Sequence, residues 1–417
     1  MAKTFSEKIL GEKAGREVSA GDVVTVSPDF YLSHDNSAAI SRSFYQLGVD
    51  KVAFPGKMVI VLDHVVPASE EKYAGNHKAI REFVAAQGLP HFFDINSGIC
   101  HQVFSESGFA MPGELILGAD SHTPTYGALG AFSAGIGRSE MAVLWATGEI
   151  WLRVPETLKI ELTGRFSEGT GAKDLILHII GNEGADRANY MAVEYAGPAA
   201  AGLSISSRMV LCNMSAEMGA KNGYFSPDDE TGRYLEGRAR RRWQPVCSDN
   251  DARFAAVLKY ELSELVPQVA CPHTVDNVCP VTEIEGRTLH QVVIGTCTNG
   301  RMEDLEAAAA VLKGRKVHSA TRTLIIPASQ QIYLQALKTG LMEIFLEAGC
   351  VVLNSGCGPC LGAHQGILAP GETALSTANR NFRGRMGSRD SEIYLASPVT
   401  AAASALHGRI TDPRKEL

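Results

Sequence analysis

Three of the nine cysteines in this 417-residue sequence have a spacing that could do chemistry: Cys297 in Gly-Thr-Cys-Thr-Asn, then Cys357 and Cys360 in Cys-Gly-Pro-Cys. Three uses of such thiols compete. Zinc in a closed structural site takes four protein ligands, and no second nearby Cys-x-x-Cys supplies the fourth. A thiol–disulfide couple is a sharper rival, since Cys-Gly-Pro-Cys is the active-site string of thioredoxins. Here, however, it follows Asn354-Ser355-Gly356 and lacks the preceding tryptophan. An iron–sulfur cubane held by three thiolates leaves one iron without a protein ligand, and an open iron is a Lewis acid for a hydroxyl and a carboxylate. Cys100, Cys212, Cys247, Cys271, Cys279 and Cys350 read as packing residues.

Histidines and carboxylates form a second set. Asp63-His64 follows the apolar run Lys57–Leu62, Asp120-Ser121-His122 follows Glu114–Ala119, and His101 closes Ser-Gly-Ile-Cys-His. An imidazole beside a carboxylate can hold or give a proton near neutral pH. A lone histidine past a strand is more often a satisfied structural residue, and His34-Asp35 is balanced between substrate pocket and loop structure. Arg380 and Arg385, in Asn-Arg-Asn-Phe-Arg-Gly-Arg, suit carboxylates because guanidinium binds them bidentately without losing its proton. The bland alternative is a surface ion pair. Arg383, between them, has no assigned role.

The elements that must position these groups share one rhythm: a short apolar run, a Gly/Ser/Asp-rich turn, then a helical stretch. Runs 57–62, 114–119, 290–295, 350–353 and 373–377 each lead into Asp, His, Cys or Arg. The alternation predicts an α/β fold with largely parallel sheets, whose strand C-terminal edge is where ligands bind. Five strands delivering reactive residues to that edge predict one shared site. Softer signals divide the chain at Trp151–Glu156 and Pro280–Gly286 into units 1–155, 156–280 and 281–417.

Hydrophobic residues make up 45% and charged residues 20%, with net charge −7, the profile of an ordinary soluble protein. The one dense basic run, Arg238-Ala239-Arg240-Arg241-Arg242, reads as a solvated face, and the acidic balance argues against a nucleic-acid partner. No stretch approaches the roughly 20 apolar residues of a membrane span. The N-terminus lacks a signal-peptide apolar region, so reduced thiols and a cytoplasmic location are expected.

Taken together, Gly295–Arg301, Cys357–Cys360, Ala378–Arg385 and Asp120–Tyr126 with Gly127–Gly130 resemble the aconitase superfamily. Asp63-His64, Ser97–His101 and Ala192–Pro198 fit the same pattern. The likeness covers nearly the whole chain. It implies three α/β domains around a central 4Fe–4S cluster, one per chain, held by Cys297, Cys357 and Cys360 with one iron lacking a cysteine ligand. It implies three acid–histidine pairs: Asp63 with His64, His101 with Asp120, and His122 with Glu194. It places Arg380, Arg385 and Ser121 on the substrate, and Asn379 and Asn299 beside the cluster.

One departure carries a further expectation. Full-length aconitases have a C-terminal swivel domain that supplies the catalytic base, whereas this sequence ends where the third domain would. That resembles the large subunits of the split 3-isopropylmalate dehydratase, homoaconitase and 2,3-dimethylmalate dehydratase enzymes, in which a separate small subunit carries the swivel domain. The implied function is a hydro-lyase acting on a malate-type hydroxy diacid, foremost in the 2- to 3-isopropylmalate isomerisation of leucine biosynthesis. An RNA-binding role fits the charge poorly, and a thioredoxin-like oxidoreductase needs no His and Arg constellation.

Overall fold

The computed structural model describes residues 2–417. Two parallel sheets carry the chemistry. The first has strand order His91–Phe93, Met58–Val61, Phe30–Ser33, Leu115–Gly118 and Phe132–Gly135, all parallel. In the second, Glu392–Leu395, Thr373–Ser376, Gln291–Gly295, Arg322–Ile326 and Val351–Val352 run parallel in that order. Met58–Val61, Leu115–Gly118, Gln291–Gly295 and Thr373–Ser376 are buried at every position. That is why their sequences read as continuous apolar runs rather than alternating ones. All five anticipated strands are present; 350–353 shrinks to Val351–Val352 at the sheet edge.

Between them in sequence lies a four-stranded parallel sheet of Asn222–Phe225, Ala192–Ala196, Thr157–Thr163 and Ala256–Glu261. The sheets partition differently from the 280/281 division read in the sequence. Gln268–Ala270 and Val278–Pro280 pair antiparallel and extend the second sheet through Ala270 against Leu395. Three-residue strands are too short for periodicity to announce them.

The first sheet's C-terminal edge meets that of the second: the Cys357 N–H donates to the Asp63 carbonyl at 2.9 Å. The turn into Cys297 is strained. Gly295 has φ 144°, and a Cβ there would sit 2.2 Å from the Ile326 carbonyl oxygen. Thr296, β-branched, holds φ 71°. Such a conformation persists only where packing over-determines it, and it turns Cys297 sharply off the strand end. The Arg238–Arg242 run is largely exposed but latched: Arg240 lies 3.8 Å over the Phe109 ring and Arg241 pairs with Asp29 and Glu114. No helix among the described residues is long and apolar enough to cross a membrane.

Candidate active site

Three adjacent strands of the first sheet end in His34-Asp35, Asp63-His64 and Asp120. Asp63 is fully buried; its Oδ1 contacts His64 Nδ1 at 2.6 Å and its Oδ2 accepts the Cys100 N–H at 2.7 Å. Burial works against a charged His64 ring, but Asp63, with Asp120 and Asp35, outweighs it and raises the imidazole to about 9. Its Nε2 points toward Asp120 at 3.7 Å.

His34 and Asp35 support this pair. Asp35 Oδ2 accepts the N–H of Asp63 and of His64, both at 2.9 Å, while Oδ1 takes Val65 N–H and His77 Nε2. The His34 ring stacks on His64 with centroids 3.7 Å apart. Burial and the neighbouring His64 charge drop His34 to about 4, so it stacks as a neutral ring. Ligand-type atoms of His34, Asp35, Asp63 and His64 lie within 4.8 Å of one another, yet Asp35 is engaged as a loop brace. His77, on the helix Glu71–Gln87, carried no signal in sequence.

A second network surrounds Asp120. His101 Nδ1 lies 3.0 Å from the Tyr126 hydroxyl and its Nε2 lies 2.8 Å from Asp120 Oδ1. Asp120 also takes the His122 N–H at 2.7 Å. Burial would raise its carboxyl, but His101 and His122 hold it well below the usual range.

The implied His122–Glu194 pair is not formed. His122 Nε2 meets Glu217 at 2.8 Å, and the same carboxylate takes both contacts of Arg380 Nε, at 2.8 and 3.0 Å. Glu194 instead accepts from Ser248 Oγ at 2.5 Å, beside the N-terminal segment. The strand Ala192–Ala196 is buried at its first four positions, so its pattern does not tell which face Glu194 takes. Glu217 lies in the short turn Ala216–Met218 after the helix Ile205–Ser215, and no motif in the sequence marked it. Glu217→Gln in the assembled enzyme should lower kcat/KM about 10- to 100-fold, the loss expected for one charge-assisted hydrogen bond. Glu194→Gln should leave it nearly unchanged; equal losses from the two would refute this assignment.

The second sheet delivers the sulfurs. Cys297 Sγ accepts from Asn213 Nδ2 at 3.3 Å and Asn379 Nδ2 at 3.4 Å; Cys360 Sγ accepts from Arg385 Nη2 at 3.4 Å. Cys357 Sγ lies 3.7 Å from His64 Nδ1 and 3.8 Å from Asp63 Oδ2. Arg301, buried, ties the Cys297 turn down through the carbonyls of Cys297 and Thr298 at 2.7 Å each. All nine cysteines are free. Burial raises the Cys297 thiol to about 12 and pushes Cys357 well up, the opposite of a thiol–disulfide nucleophile. Three thiols from two separate loops, met by amide and guanidinium N–H donors, form a donor set that suits an iron–sulfur cluster.

Asn299 is not among those donors. Its Nδ2 binds Asp304 at 2.8 Å, because the start of helix Met302–Leu312 folds Asp304 back over the turn. Ser121 is exposed and shares an open cavity of about 530 Å³ with Asp120, Lys221 and Arg380. Among the described residues Arg380 makes no hydrogen bond beyond those from Nε, and Arg385 Nε is buried without a partner. Both arginines thus retain donors for an anion.

Comparison with known proteins accords with this geometry. The Aconitase family (aconitate hydratase) matches residues 7–408. The chain is 51% identical to the 3-isopropylmalate dehydratase large subunit 1 of Methanopyrus kandleri over 418 residues, covering 100% of each. It is 52% identical to the probable methanogen homoaconitase large subunit of Methanosarcina mazei over 388 residues, covering 93% of this chain and 98% of that one. The crystal structure of Thermococcus kodakaraensis aconitase X (holo-form) superposes with TM-score 0.51 at 12% identity, over 92% of this chain and 91% of that one, a likeness of fold alone. With its motifs, sheets and near full-length match in agreement, this chain belongs to the aconitase family.

Proposed function

We propose that the chain is the cluster-bearing large subunit of a split hydro-lyase acting on a malate-type hydroxy diacid, with 2-isopropylmalate to 3-isopropylmalate isomerisation as the foremost activity. One juxtaposition carries the reading: Cys357 Sγ sits 3.7 Å from the Asp63-bound His64, while Arg385 Nη2 reaches Cys360 Sγ and Arg380 is tied through Glu217 to His122. The full-length relatives, named large subunits of 3-isopropylmalate dehydratase and of homoaconitase, support both the activity and a separate small subunit. Homoaconitate-type acids are the second substrate class.

Cys297, Cys357 and Cys360 would hold a 4Fe–4S cluster. Bound there, it supplies a Lewis acid for the substrate hydroxyl and one carboxylate. His64 holds the proton that the departing oxygen needs. Asp63 occupies its Nδ1, so Nε2 is the donating atom, and the elevated basicity keeps it protonated at neutral pH. Arg380 and Arg385 fix the substrate carboxylates, with Glu217 and Cys360 orienting their guanidinium groups. His101, Asp120 and His122 form the adjoining wall. The base that removes the carbon-bound proton belongs to the proposed small subunit.

Anaerobic purification, iron and acid-labile sulfide analysis, and electron paramagnetic resonance after mild oxidation test the reading. The expected result is a three-iron signal that is lost when ferrous iron is added. Zinc, or no metal after anaerobic reconstitution, would overturn it.

A further inference from the structure

We propose that Lys173 is the internal counter-charge of the cluster site and a positioning residue for Asn379. The proposal rests on the cluster assigned above to Cys297, Cys357 and Cys360. Lys173 is the second residue of helix Ala172–Glu183 and only 1% exposed. An ammonium that deep needs compensating negative charge or dipoles, because the interior does not replace its hydration. Its Nζ donates to the carbonyls of Thr377 at 2.7 Å and Ala378 at 2.6 Å, and no carboxylate among the described residues forms an ion pair with it.

The nearby carboxylates are engaged elsewhere. Asp174 accepts the N–H groups of Gly171 and Gln268, each at 3.0 Å. Asp304 accepts Asn299 Nδ2 at 2.8 Å and the Arg301 N–H at 3.0 Å. Burial brings the ammonium down to about 7; of the groups that oppose this, the Cys297 and Cys360 sulfurs act more strongly than Asp304 or Asp174. The carbonyls it meets lie on the turn that leads to Asn379, whose amide reaches Cys297 Sγ, so ligand thiolates on that side would supply the negative charge it lacks.

The two carbonyls have a second consequence. Thr377 and Ala378 follow the strand Thr373–Ser376 and immediately precede Asn379, whose Nδ2 reaches Cys297 Sγ at 3.4 Å. One buried ammonium thus pins the turn that aims a hydrogen bond at a ligand sulfur. Both effects, a cation close by and an N–H donor on sulfur, favour the more negative, reduced state of a cluster.

The test compares anaerobically reconstituted wild-type chain with Lys173→Gln and Lys173→Met. Glutamine keeps a donor for the carbonyls and removes the charge; methionine removes both while keeping the shape. In a redox titration of the three-iron form followed by paramagnetic resonance, the oxidised-to-reduced ratio at the wild-type midpoint should rise about tenfold in Lys173→Gln. That is a shift of about 59 mV to lower potential. Lys173→Met should shift at least as far, and Lys173→Arg should restore the wild-type midpoint. Methionine removes the buried charge while keeping the shape, so the cluster-free Lys173→Met chain should melt no lower than cluster-free wild type. A wild-type chain that takes up no cluster would sink the cluster reading itself. A wild-type cluster whose midpoint is unchanged in both neutral variants would overturn the role of Lys173. Failure of both variants to fold without cluster would also overturn it, since the lysine would then be a purely structural tie.

Discussion

Asp63→Asn should lower turnover of the assembled enzyme by about 10²- to 10⁴-fold, the range that a positioned proton donor contributes, while iron and sulfide content stay at wild-type levels. The substitution keeps the side chain's size, and an amide oxygen can still accept the Cys100 N–H. What disappears is the carboxylate charge against His64 Nδ1 at 2.6 Å. Of the carboxylates that keep the ring charged, Asp63 acts most strongly, so burial then dominates and the imidazole falls from about 9. The sign follows directly: the wild type keeps its proton as pH rises until about 9, and the variant loses it at lower pH. The alkaline limb of the rate profile should move down accordingly. Measuring kcat against pH, with iron content as a control, decides the matter. Wild-type turnover with an unshifted limb would remove His64 from proton transfer.

Cys297→Ser should bring iron and sulfide to background and abolish turnover, because the remaining two thiolates cannot hold a cubane in place. Cys297 is the informative thiol of the three. A dithiol redox couple would need only Cys357 and Cys360, three residues apart, and would survive its loss. The fold should tolerate the change, since Arg301 anchors the turn through main-chain carbonyls and not through sulfur. Iron analysis of the reconstituted variant beside its circular dichroism spectrum separates the outcomes. A folded variant that retains the full cluster would exclude Cys297 as a ligand.

The parts of the site legible in the sequence were those encoded locally. Cys-Gly-Pro-Cys, Asp63-His64 and Asp120-Ser121-His122 each sit within a few residues, and the latter two closely follow buried strands whose apolar runs announce them. What escaped was encoded across the chain. Glu217 lies 95 residues from His122 and 163 from Arg380, and His77 lies 42 from Asp35. Glu194 was misplaced because a strand buried on both faces gives no parity signal. Asn299 turns its amide nitrogen to Asp304, five residues on, a contact its own motif does not announce.

By itself, the sequence determined the α/β class, the strands that end in reactive residues, the thiols with metal-ligand spacing and the family. All of these follow from runs and spacings only a few residues long. Only the tertiary structure decided which carboxylate charges which ring, which amides and cations face the sulfurs, and that Asp35 braces the loop bearing Asp63 and His64. The physical reason is that a hydrogen bond or ion pair depends on ångström distances between side chains brought together by sheet packing. In this chain those partners come from the facing C-terminal edges of two sheets and from helices and turns packed beside them, and residue spacing carries no record of that approach.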